Sequence, residues 1–119
     1  MSNIIELKVR DFTNTPTGRY RVEGMYSGEE FRECYLEPKY LEAVQKDTIL
    51  RVNIDCMGHP SSFFNEAFGG LARKYSVTID DIWKVIELAS DEENSEEMIN
   101  EVKQYATDDF TRAKILEGR

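Results

Sequence analysis

Residues 48–75 constrain the fold more than any other part of the chain. Thr48 to Cys56 carries Ile49, Leu50, Val52 and Ile54, a run too apolar for a solvated edge and short enough for a central strand covered on both sides. It leads through Met57-Gly58-His59-Pro60 into a stretch with Phe63, Ala67, Phe68 and Leu71 at helical spacing, so a helix is expected to begin at Ser61 or Ser62. Gly69 and Gly70 sit inside that helix at about 1 kcal/mol of helix propensity each, which points to close approach by another backbone.

The flanking segments extend the pattern. Over residues 4–12, Ile5, Leu7 and Val9 alternate with charged residues, the period of a strand with one wet face. Turn formers from Asn14 to Gly18 end it, and Arg19 to Val22 reads as a second short extended piece in a hairpin-like opening. Ser27 with Glu30 three residues on has the form of a capping box and starts a helix, with Phe31, Cys34 or Tyr35, Tyr40, Leu41 and Val44 facing inward. Pro38 is expected to divide that helix near Glu37. Residues 79–89 fit both periods, and a strand over Lys84 to Ala89 is the reading adopted. An acidic loop, Ser90 to Asn94, precedes a helix from Ser95 with Met98, Val102 and Tyr105 inward, and the chain is expected to fray after Thr111. Strand, helix, buried strand, helix, strand, helix is the order of a small α/β layer fold, with helices packed against a mixed sheet.

Composition narrows the function classes. The 119 residues make one domain, with its core over residues 4–108. A net charge of -8 repels nucleic acid and anionic membrane surfaces, and Arg19, Arg21, Arg73 and Lys74 are too scattered to reverse that. No apolar run approaches the roughly 20 residues of a membrane span. Cys34 and Cys56 follow no secretory leader and read as reduced cytoplasmic thiols; His59 is the one histidine, which leaves no Cys/His zinc set. Without a Gly-x-x-x-x-Gly-Lys loop, no nucleotide or other cofactor is expected to belong to this chain.

Three blocks carry a family likeness. Thr15-Pro16-Thr17-Gly18-Arg19-Tyr20, Ser27-Gly28-Glu29-Glu30-Phe31-Arg32 and Ser62-Phe63-Phe64-Asn65-Glu66-Ala67-Phe68-Gly69-Gly70-Leu71 together resemble the STAS-like domains of unknown function found in bacteria and some of their mobile elements. The string Glu66 to Leu71 is the most specific part of the likeness, which spans about residues 4–108. The resemblance implies a fold similar to anti-sigma factor antagonists, in which a loop bearing a phosphorylatable serine and the following helix dock on a histidine-kinase-like ATPase. By position that loop is Gly58 to Phe63 here, with Ser61 or Ser62 where the target serine would stand. The antagonist motif has Asp-Ser followed by a small residue and glycine, whereas this chain has Pro60-Ser61-Ser62-Phe63.

The resulting expectation is a non-catalytic, cytoplasmic regulator that binds an ATPase or kinase-like protein. Its contact face runs from Met57, Gly58, His59, Ser61 and Ser62 through Phe63 and Phe64 to Glu66 and Arg73. Arg19, Tyr20, Phe68, Gly69 and Gly70 are read as structural, with Tyr20 in the core and Arg19 on the surface, and Glu66 as a carboxylate pairing with Arg19 or Arg73. Two rival readings stand beside it. One is a small ligand-binding domain or hydrolase-like enzyme using His59, Ser61 and Glu66, although Gly-x-Ser-x-Gly is absent and no third group orients His59. The other is a homodimer that buries Phe63, Phe64 or Tyr75.

Overall fold

A computed structural model describes residues 4–107. Strands β1 (Ile5–Lys8), β2 (Leu50–Asn53) and β3 (Ile86–Ala89) form one sheet in the order β1-β2-β3, with both strand pairs parallel, where a mixed sheet was expected. The helices are α1 (Val9–Phe12), α2 over 28–46, α3 over 61–74, α4 (Ile79–Val85) and α5 (Ser95–Thr107). The α/β layer with helices against a sheet is as the sequence order suggested.

The monotonic strand order decides where the helices go. Parallel crossovers share one hand, so two successive steps in the same direction leave every helix on the same side of the sheet. Leu7, Leu50, Val52, Ile86 and Leu88 are buried on that side. The other face carries Glu6, Arg51 and Glu87 in one cross-strand row and Lys8, Asn53 and Ala89 in the next. Strand β2 is therefore central, as its apolar run required, but covered on one side only. On the open face Arg51 holds Glu87 at 2.8 Å and Glu6 at 3.9 Å.

Three extended segments are shorter than the alternation suggested, or absent. Strand β1 stops at Lys8, whose N–H is taken by the Asp11 carboxylate at 3.3 Å, and Val9 turns into α1. Arg19 to Val22 forms no strand: Glu23 accepts the N–H groups of Arg19 and Tyr20 at 2.8 and 2.7 Å, so a ladder has no donors there, and Arg21–Glu23 is a 3₁₀ turn. Lys84 and Val85 belong to α4, which begins in a reciprocal cap between Thr78 and Asp81, so β3 starts only at Ile86.

Helix α2 starts where Ser27 Oγ accepts the Glu30 N–H at 3.1 Å. It runs as Gly28–Phe31, a π turn Arg32–Leu36, and Glu37–Lys46. Pro38 does not split it, because the Glu37 N–H already reaches back to the Arg32 carbonyl and the widened turn absorbs the missing proline donor. The extra residue of the π turn also changes which positions meet the sheet. Leu36, Tyr40 and Ala43 are buried, whereas Leu41 and Val44, expected inward, are 46% and 50% exposed. Helix α3 has the same design, as Ser61–Phe64, a π turn Asn65–Gly69, and Gly70–Lys74. In α5 Val102 and Ala106 are buried and Met98 and Tyr105 half-buried. The fraying expected after Thr111 lies outside the described residues.

Glycines set how closely the helices pack. A Cβ on Gly28 would stand 2.3 Å from the Phe63 carbonyl oxygen, and one on Gly69 2.7 Å from that of Ala106, the backbone approach expected of the glycine pair. Gly70 instead makes room for a side chain, the Arg32 guanidinium, whose Nε would lie 2.8 Å from its Cβ.

Candidate functional site

The loop after β2 is pinned at its root and open at its tip. Buried Asp55 accepts hydrogen bonds from Ser90 Oγ at 2.5 Å and the Asp91 N–H at 2.8 Å, which ties the ends of β2 and β3 together. Burial pushes its pKa up, but those bonds and the nearby Asn53 outweigh it and hold the carboxyl below its ordinary value. The Met57 N–H donates to the Asn14 carbonyl at 2.8 Å. His59 Nε2 donates to the Ile54 carbonyl at 3.1 Å, and its ring stacks on Phe64 at 5.9 Å. Cys56 Sγ lies 3.1 Å from the Gly58 carbonyl, and burial, with a smaller push from Asp55, raises the thiol to about 11. Beyond these anchors the Met57 side chain is 65% exposed, and Gly58 holds φ at +69° with open space around it.

Pro60 occupies the cap of α3, so neither serine does. Ser61 is exposed and Ser62 half-buried, both in the first helical turn, and neither hydroxyl hydrogen-bonds to a described residue. That removes the simplest structural role for the pair, an N-cap. Phe63 and Phe64, expected on the contact face and offered as a dimer surface, are fully buried. Phe63 packs against Phe12 and Phe31, and Phe64 lies flat on Phe68, so this aromatic pair faces the core. Of the expected contact face, Met57, Gly58, His59, Ser61 and Ser62 remain at the surface of this loop.

A second cluster lies where the two π turns meet. Arg32 Nη1 donates to Glu37 Oε2 at 2.5 Å and Nη2 to Glu66 Oε2 at 3.0 Å, with all three side chains under a tenth exposed. Arg73 reaches the other Glu66 oxygen at 2.8 Å, while Lys74 and the Tyr75 hydroxyl reach Glu37 Oε1 at 2.7 and 3.2 Å. Burial alone would raise the Glu37 pKa; the bonds from Lys74 and Arg32 win and hold it low. Glu66 is thus an interior carboxylate and not a partner-facing one, paired with Arg73 as expected and with Arg32 in addition. Arg19, half-buried, donates instead to Asn65 Oδ1, whose amide nitrogen donates to the Tyr105 carbonyl at 2.8 Å. Tyr20 is half-buried, not in the core, and Arg73 is partly exposed.

No site role was expected for Arg32, Glu37, Lys74 or Asp55; Lys74 counted only among the scattered cations and Arg32 only within a likeness block. Charged residues read as solvated unless something marks them, and the available mark was three small residues, Gly28, Gly69 and Gly70, around the helix pair. The hydrolase-like arrangement does not assemble, since His59 gives its Nε2 proton to a backbone carbonyl and Glu66 is held by two arginines. Among the described residues no group of three His, Cys, Asp or Glu could hold a metal, and no helix is long and apolar enough to cross a membrane. No protein-family model, curated protein or solved structure matches the chain, which leaves the STAS-like resemblance resting on its own residues.

Proposed function

We propose that this chain is a regulatory docking domain whose loop Met57 to Ser62 binds a histidine-kinase-like ATPase, with Ser61 as the residue through which binding is controlled. The observation that carries the reading is the Ser61 hydroxyl: exposed, without a hydrogen bond to any described residue, and in the first turn of a 14-residue helix capped by Pro60. Beside it, Met57 offers an apolar anchor on a loop fixed at Asp55 and His59. Such a loop loses little conformational freedom on docking.

A phosphate on Ser61 would meet the free N–H groups and positive dipole end of α3 and add nearly two negative charges to a chain at -8. The added charge opposes docking on an acidic surface, and the phosphate held at the helix end covers the loop tip. Calorimetric titration against the purified histidine-kinase-like ATPases of the same cell tests the reading. Ser61→Asp and Met57→Asp are each expected to weaken binding about tenfold, or ~1.4 kcal/mol. Wild-type affinity in both variants, or no binding by the unmodified protein, would overturn it.

A further inference from the structure

Among the described residues Arg19 is the one arginine whose guanidinium meets no carboxylate. The others sit on acidic side chains, from 2.5 Å for Arg32 on Glu37 to 4.0 Å for Arg10 on Asp91. Half-buried in a chain at -8, Arg19 is given instead to a neutral group, the Asn65 amide oxygen. It also stands close enough to Arg73 to act on it. Burial weighs most, and the like charges of Arg19 and Arg32 add to it, so the Arg73 pKa lies below its ordinary value despite Glu66. The base of the Arg19 side chain is fixed, because its carbonyl accepts the Glu29 N–H at 3.0 Å and its own N–H goes to Glu23 at 2.8 Å.

Asn65 lies one turn along α3 from Ser61, at the spacing that makes helical side chains neighbours. Helical side chains lean toward the N-terminus, so the Asn65 amide, and Arg19 with it, lies over the turn that Ser61 opens. We propose that Arg19 is the receptor for a phosphate on Ser61, exchanging the neutral Asn65 amide for the dianion. The inference rests on the reading of Ser61 as the control residue. The phosphoryl group comes from ATP through a protein kinase: the Ser61 Oγ–P bond forms, the bridging bond to ADP breaks, and the hydroxyl proton passes to the kinase's base. The dipole of α3 attracts phosphate without fixing its orientation, whereas the guanidinium adds a fork of donors matched to the phosphate oxygens. Asn65 keeps its place when Arg19 leaves, since its amide nitrogen donates to the Tyr105 carbonyl at 2.8 Å. The modified serine is then tied to the segment that precedes α2.

Phosphorus NMR of the full chain, with phosphoserine built in at position 61 and no ATPase present, decides it. The phosphate of the otherwise unchanged chain is expected to lose its last proton at least about half a pH unit below that of Arg19→Gln, a variant that keeps a donor for Asn65. Arg19→Lys, which has the charge without the fork, falls between them. With Arg19 in place, its Nε–H resonance follows the same titration, a readout that needs no variant to fold. Equal titration with and without Arg19→Gln, or an Arg19 resonance indifferent to the phosphate, would overturn the inference and leave docking untouched. Failure of the unmodified chain to bind an ATPase, read separately by calorimetry, would overturn the reading of Ser61 beneath it.

Discussion

Replacing Arg32 with methionine tests what holds the two long helices together. The side chains of Arg32, Glu37 and Glu66 are 9%, 8% and 6% exposed, so the substitution strands two carboxylates in the interior. Breaking one member of a buried ion pair costs about 3–5 kcal/mol, chiefly because the remaining charge is left uncompensated. Here each carboxylate keeps a second partner: Arg73 at 2.8 Å for Glu66, and Lys74 at 2.7 Å for Glu37. The loss should therefore fall at the lower end, about 3 kcal/mol, a large fraction of the ~6–18 kcal/mol total expected for a chain this long. In urea, with a slope of about 1.5 kcal/mol/M, the midpoint should drop by about 2 M. Trp83 reports it, since its indole packs 5.5 Å from Phe68 on the helix that carries Glu66. Adding Glu66→Met to Arg32→Met should cost at least ~1 kcal/mol less than the two single changes combined, because the pair is then replaced as a unit. A midpoint shift under about 0.5 M, or strict additivity, would refute the view that this network fixes the helix pair.

Gly28→Ala should lower the melting temperature by several degrees or more, because its Cβ would fall 2.3 Å from a backbone carbonyl that cannot rotate away. Gly58→Asn, at φ +69° in open space, should leave it unchanged in the same scan. Glu37 and Asp55 both have folded pKa values below their ordinary 4.5 and 3.8. The stability they contribute is present above those ordinary values and lost as pH falls through the lower folded ones, so urea midpoints should hold above about pH 5 and decline below about pH 4. A midpoint that rises on acidification would contradict the assignment. Under iodoacetamide at mildly alkaline pH, peptide mapping should find exposed Cys34 alkylated well before Cys56, whose thiol burial raises to about 11.

What the sequence disclosed followed local rules. The cap at Ser27, the acidic first turn after Ser95, the apolar run of β2 and the helix after Pro60 all rest on neighbours within four residues, and all four elements formed. The errors share a different cause. Val9 continues an alternating pattern into a helix because Asp11 takes the Lys8 amide, and Arg19 to Val22 fails as a strand because a single carboxylate, Glu23, consumes two donors. Leu41 and Val44 changed sides because a π turn has no signature in hydrophobic spacing. The Ser61 loop was found by its position between strand and helix. The burial of Phe63 beneath it depends on rings far away in the chain, Phe12 and Phe31, and the Arg32 network likewise depends on contacts across more than thirty residues of chain.

Each π turn is what one inserted residue leaves in an α-helix, and α2 and α3 carry one apiece where they touch. The number of residues between Ser61 and Leu71 is thus itself a structural parameter. Deleting one residue of Asn65 to Gly69 would remove the insertion and restore ordinary winding with both flanks on their present faces, narrowing the turn from which Glu66 reaches Arg32. Substitution in this segment trades one side chain for another; a change of count removes the widened turn against which α2 packs.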